Sequence, residues 1–207
     1  MRKHFNVNIE RMALELNDQS CLSLQENMPK KNIQSSRSFG RPVTSVNELQ
    51  EAISTYAVTA CEKLRNQNSL AQAICVYLQT SRFNEREKYY SNCQTIGLSQ
   101  PTADTRVIIH YSIKAIKELY RSGYEYKKCG ILLLDIIPNT FVQLDLLQGT
   151  LPVSDKELMK TIDQIKLKFG KSIIQYACQG FKNEWGMKSE KRSPCYTTNW
   201  NEVVRVY

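Results

Sequence analysis

The run Lys128-Cys129-Gly130-Ile131-Leu132-Leu133-Leu134-Asp135-Ile136-Ile137 constrains the fold more than any other stretch of the chain. Its apolar parts, broken by Asp135, fall far short of the roughly 20 residues of a membrane-spanning helix. It is also nearly continuous rather than alternating. Such a run is expected of a central strand, with a strand on either side.

The covers and neighbours are legible upstream. Ile33 to Gly40 is a polar strand closed by Gly40 and Pro42. Ser45-Val46-Asn47-Glu48 has the form of a capping box, and Leu49, Ile53, Tyr56, Ala60 and Leu64 then lie on one face of a helix ending near Asn66. Leu70 to Ser81 alternates, with Ile74, Val76 and Leu78 on one side and Cys75, Tyr77 and Gln79 on the other; this is a half-buried strand. Cys93 to Ser99 is a second alternating strand, with Ile96 and Leu98 inward and Pro101 as its end. Asp104 is placed to cap a helix whose apolar face holds Ile109, Ile113, Ile116 and Tyr120. The expected fold is therefore α+β: a split βαβ unit (β-α-β-β-α-β), a four-stranded sheet with both helices on one face. The other face is left open to a partner.

Outside this unit the chain reads more simply. A short helix over Asn8 to Asp18 precedes a linker at Met28–Asn32. After Pro138, Ser154 to Glu157 forms a second capping box, with Val153 and Leu158 as a hydrophobic staple. Its helix carries Leu158, Ile162, Ile165 and Phe169 on one face and ends at Gly170, and Ser172 to Ala177 reads as a short strand. The expected divisions are 1–31, 32–150 and 151–207.

Charge and cysteines narrow the function. Lys plus Arg number 28 against 20 Asp plus Glu, a net charge of +8, which favours an anionic partner. The seven cysteines are scattered without a C-x-x-C pair, so buried free thiols are expected rather than disulfides or zinc ligands. No signal peptide is legible at Met1 to Asn6, and a soluble protein of a reducing cytoplasm is expected. No phosphate-binding glycine loop, zinc-protease helix or nucleophile elbow is present. His110 sits among isoleucines and Asp135 is a lone carboxylate in its strand, whereas two-metal catalysis needs several carboxylates converging. No catalytic residue and no metal ligand is assigned.

Two segments carry binding chemistry. Asn27 to Asn47 contains Lys30, Lys31, Arg37 and Arg41 without an acidic residue, and Ser35, Ser36 and Ser38 lie among them. Hydroxyls, backbone N–H groups and guanidinium suit phosphate oxygens without base preference; the plain alternative is a solvated basic edge. Gln143-Leu144-Asp145-Leu146-Leu147 suits a peptide docking extended into an apolar groove, or a few leucines continuing the core.

Ser36-Arg37-Ser38-Phe39-Gly40, the split βαβ unit, Gln143 to Leu147, and Ser193-Pro194-Cys195-Tyr196-Thr197-Thr198 follow in this order. Together they resemble the C-terminal half of the UmuC-type Y-family translesion DNA polymerases, over nearly the whole chain. The resemblance implies a thumb remnant up to about residue 26, a little-finger domain, and the extra C-terminal segment of that subfamily. It implies DNA-backbone contacts for Ser36, Arg37 and Ser38, with Arg41 added on charge, and damaged or primer-template DNA as the ligand.

The same resemblance makes Gln143 the amide anchor, and Leu144, Leu146 and Leu147 the plugs, of a β sliding clamp motif. Leu147 stands where Phe is usual, and Cys195 where Arg is frequent. A UmuD-type dimer and a recombinase filament are the further partners implied, in DNA repair and the SOS response of a bacterial cytoplasm, at the nucleoid. The palm with its magnesium-binding carboxylates would lie upstream, so no cofactor is expected in this chain and no polymerisation by it alone. The rivals are a regulatory fragment competing for the clamp and a single-stranded RNA-binding βαββαβ module. The latter stacks bases on central-strand aromatics, which Lys128 to Leu134 lacks.

Overall fold

The computed structural model describes residues 6–22, 28–83, 88–140, 156–170, 172–188 and 191–204. After α1 (Val7–Glu15), the elements are β1 (Ile33–Val43), α2 (Val46–Asn66), β2 (Ser69–Thr80), β3 (Ser91–Thr102), α3 (Thr105–Leu119), β4 (Tyr126–Pro138) and α4 (Lys156–Phe169). The strands form one antiparallel sheet in the order β1-β4-β2-β3. β4 separates β1 from β2, and β2 separates β3 from β4. Each helix therefore connects two parallel strands across an antiparallel one, which is the split βαβ arrangement twice over. The apolar run of β4 is central, as its composition requires.

Register assigns the faces. Ile33, Leu133, Ile74 and Ile96 form one cross-strand row, and Ser35, Ile131, Val76 and Gln94 the next. These rows face α2 and α3, and Ile33, Leu133, Ile74, Ile131 and Val76 are buried in one core with Leu49, Ile53, Leu64, Ile108 and Ile116. Burying each such side chain stabilises the fold by roughly 1.5–3 kcal/mol. A one-residue slip would turn every one of them outward.

Several sequence expectations are corrected. β1 continues through Gly40 and Pro42 to Val43, with a register irregularity between Ser38 and Val43. β3 continues through Pro101 to Thr102, likewise beside an irregularity opposite Ala71 and Ala73. Both prolines lie on edge strands, where one side of the backbone has no ladder partner and a missing N–H is tolerated. Ser45 precedes α2 without a side-chain cap bond, and the Glu48 carboxylate, the other half of the expected box, is held by Arg41 instead. Residues 172–177 form no strand; a 3-10 turn at Ala177–Gln179 takes their place. The cysteines are free, but only Cys61 and Cys129 are buried, while Cys93 and Cys195 are exposed.

The apolar spacing of α4 also misleads. Leu158 and Phe169 are exposed, whereas Met159 and Lys166 are buried. Electrostatics sets this orientation. Arg65 holds Asp163 through two hydrogen bonds of 2.6 and 2.7 Å, and Lys166 Nζ lies 2.9 Å from Glu62 Oε1. Ser154, which would open the capping box, and Val153 of the hydrophobic staple lie outside the described residues.

The C-terminal segment packs on β1. The Trp185 ring meets Phe39 at 6.0 Å and Tyr56 at 5.8 Å, both edge-on, and Gly40 N–H donates to the Trp185 carbonyl at 3.0 Å. Gly40 is required here because a Cβ would stand 2.5 Å from the Gly186 carbonyl oxygen.

Candidate nucleic-acid interface

The face of the sheet turned away from α2 and α3 carries the complementary rows. Ser38, Lys128, Gln79 and Ser91 form one, Ser36, Gly130, Tyr77 and Cys93 the second, and Gln34, Leu132, Cys75 and Thr95 the third. None of these side chains is a carboxylate. The surface presents hydroxyls, amides, one ammonium and one phenol, with two thiols and Leu132 among them.

Gly130 shapes the centre of this face. A Cβ there would lie 2.4 Å from Ser36 Cβ and 2.6 Å from the Tyr77 hydroxyl oxygen. The missing side chain lets the Tyr77 ring reach across β4 towards β1, where Gln34 Nε2 donates to Tyr77 Oη at 2.8 Å. The same amide lies 3.4 Å from Ser36 Oγ. Tyr77, Gln34 and Ser36 are thereby fixed as a group.

The predicted site residues separate. Ser36 and Ser38 lie on the open face. Arg37, between them, belongs to the row of Cys129, Leu78 and Asn92 on the opposite face, and its side chain is exposed at the sheet edge. No hydrogen bond or ion pair to another described residue holds its guanidinium. Arg41 is engaged, paired with Glu48 and lying 3.9 Å from Glu184; the Glu48 bond and charge hold it above its ordinary pKa. Gln143, Leu144, Leu146 and Leu147 lie outside the described residues.

Lys128, Gln34 and Tyr77 were not singled out from the sequence. The alternation of β2 already put Tyr77 opposite Ile74 and Val76, but only the pairing of Ser38 with Lys128 places an ammonium beside the serines. As an edge strand, β1 also leaves alternate backbone N–H groups without a ladder partner. Donors without an opposing carboxylate suit phosphate oxygens, which carry no sequence information.

Metal chemistry finds no support on this surface. Among the described residues no group of three or more His, Cys, Asp or Glu side chains could hold an ion. Asp135 stands exposed at a positive φ of 49° in β4, and His110 is exposed on α3 beside Tyr111. No helix among the described residues is long and apolar enough to cross a membrane.

Comparison with known proteins identifies the chain's relatives. Residues 30–146 match the model of the impB/mucB/samB family C-terminal domain, and 156–206 match a domain of unknown function (DUF4113). Protein UmuC of Salmonella typhimurium is 38% identical over 208 residues, covering 100% of this chain and 49% of its own length. Protein SamB of Salmonella typhimurium is 40% identical over 205 residues, covering 98% and 48%. The chain thus spans about half the length of these relatives. Among solved structures, the little finger domain of PolIV, in a complex with the beta-clamp processivity factor, is similar with a TM-score of 0.39 and 17% identity. That similarity covers 56% of this chain and 99% of the other. With the match running from the residues before β1 past the end of β4, the chain belongs to the impB/mucB/samB family, through its C-terminal domain.

Proposed function

We propose that this chain is the DNA-gripping and clamp-tethering part of a UmuC-type translesion DNA polymerase, acting in damage tolerance. The observation that carries the reading is the open sheet face, where Ser36, Ser38 and Lys128 stand together without a carboxylate. Contacts directed at the backbone fit lesion bypass, since a damaged template offers no dependable base edge. Arg37 adds charge at the sheet edge, and Arg41, already paired with Glu48, contributes less. Gln143 to Leu147 follows β4 in sequence and supplies the clamp motif, with Leu146 and Leu147 as apolar plugs.

The single-stranded RNA reading is weaker. Tyr77 is the one aromatic ring in the rows of the open face, and its hydroxyl is held by Gln34 rather than left free over a stacking platform. The reading places nucleotidyl transfer outside this chain, and places the protein with DNA in the bacterial cytoplasm. It extends to a UmuD-type dimer and a recombinase filament as partners of the intact polymerase, with no side chain assigned to either.

The test is duplex binding followed by fluorescence anisotropy across a salt series. Affinity should fall linearly on a log–log plot with little sequence preference, and Lys128→Ala should flatten the slope by about 0.9 for one lost phosphate contact. Salt-insensitive binding, or none, defeats the DNA reading. Retention on immobilised clamp tests the tether. Gln143→Ala with Leu146→Ala should abolish it and leave the anisotropy curve unchanged, and equal retention of the double variant defeats the clamp assignment.

A further inference from the structure

On the helix side of the β1 edge, a cleft of about 270 Å³ opens between β1, α2 and residues 183–187. Its size lies just under the roughly 300–1,000 Å³ of pockets for whole small ligands. Two of its wall residues carry unsatisfied polar atoms. Trp185 and Tyr56 are 5% and 4% exposed, yet Trp185 Nε1 and Tyr56 Oη are buried without a hydrogen-bond partner among the described residues. Arg37, which also lines the cleft, has no ion-pair partner among them. A buried donor without an acceptor is destabilising, so two around one cleft call for an explanation.

The chemistry of the donors selects the ligand. Indole N–H and guanidinium donate and never accept. The Tyr56 hydroxyl stays protonated, since burial pushes its pKa well up. No Asp or Glu lines the cleft. A compact, acceptor-rich anion is the ligand class that such donors call for, and guanidinium has a particular match to phosphate. Ser38 borders the cleft as well as the open sheet face, so the site adjoins the surface assigned to nucleic acid.

We propose that this cleft is a phosphate-binding site built jointly by the sheet domain and the C-terminal segment. Arg37 is its charge partner, and the Trp185 indole N–H and the Tyr56 hydroxyl are its buried donors. The segment whose family model is a domain of unknown function thereby acquires a binding role through Trp185. The proposal stands without the DNA reading, because a free phosphate satisfies it as well as a backbone phosphodiester does.

The test follows the indole N–H signals of the ¹⁵N-labelled chain by NMR. The two tryptophans, Trp185 and Trp200, are told apart by Trp185→Phe. Inorganic phosphate is titrated at constant ionic strength against chloride, and a short duplex is titrated separately. The Trp185 signal should shift saturably with phosphate or with duplex, while chloride leaves it in place. Arg37→Gln should weaken the response at least tenfold. Tyr56→Phe, which keeps the packed ring, should weaken it several-fold with the thermal midpoint nearly unchanged. A shift with duplex alone identifies the backbone as the source of the phosphate, and a shift with both shows that free phosphate enters too. A Trp185 signal that neither ligand moves overturns the proposal, as does an Arg37→Gln variant that binds like the parent. Duplex bound in the anisotropy assay without moving Trp185 would remove this site and leave the DNA reading standing.

Discussion

Asp104 ends the turn after β3 and starts α3, and its surroundings make it a carboxylate held in a buried position. Its Oδ1 accepts from the Arg106 N–H at 2.8 Å, and the Arg106 guanidinium closes on Oδ2 at 2.7 Å. Burial pushes the acid's pKa up. The Arg106 hydrogen bonds and the charges of Arg106 and Arg65 outweigh that and leave it below the usual carboxylate range. A folded-state pKa that is depressed contributes stability present above the unfolded value of about 4; the contribution is lost as pH falls through the folded value. Asp104→Asn keeps an acceptor at the cap but removes the charge. It should cost about 1 kcal/mol at pH 7, the difference between charged and neutral hydrogen bonds. The gap to the parent should close below about pH 4, read from urea midpoints between pH 7 and 3. A gap constant across that range would show that ionisation of Asp104 contributes nothing.

Within the sheet, Gly130 is where the element depends on a missing side chain. Gly130→Ala puts a Cβ against Ser36 Cβ, an atom fixed by the backbone of β1, so the strands must part. Overpacking of this kind costs about 1–3 kcal/mol. Gly97, on the edge strand β3, has nothing within 4 Å of its virtual Cβ, and Gly97→Ala should change stability by less than about 0.5 kcal/mol. Equal urea midpoints for the two variants would refute the close approach at Gly130. The elements themselves were legible wherever one period dominated: the alternation of Ile74, Val76 and Leu78 fixed the buried side of β2, and the spacing of Leu49 to Leu64 fixed that of α2. Legibility failed where side chains chose partners remote in sequence. Glu48 bonds Arg41 and so leaves its capping box, and Lys166 turns inward for Glu62 against the apolar spacing of α4. Ser36, Arg37 and Ser38 read as one basic patch in sequence. The pleat of β1 sends the arginine to the other side, and Lys128, ninety residues on in the chain, takes the place beside the serines.

Across the whole molecule, the described residues up to 140 and those from 156 onward share packing. Trp185 is counted with Phe39 and Tyr56 in the same buried core. Meanwhile α4 is tied to α2 and the start of α3 through Arg65, which binds Asp163, the Ala103 carbonyl at 2.8 Å and the Thr105 hydroxyl at 2.8 Å. Burial lowers the Arg65 pKa, but the Asp163 bond and charge more than restore it. Breaking such a partly buried pair from one side leaves a charge without its partner, which is costly. Residues 156–204 should therefore unfold with the sheet rather than before it. In a Trp200→Phe background, Trp185 emission reports the C-terminal segment and far-ultraviolet circular dichroism reports the sheet and helices. The two urea curves should coincide, as one cooperative transition requires. Trp185→Ala should lower the shared midpoint by an amount equivalent to about 3–5 kcal/mol. Loss of native Trp185 emission at a urea concentration where the dichroism is still native would instead make the C-terminal segment a separate unit docked on a self-sufficient sheet domain.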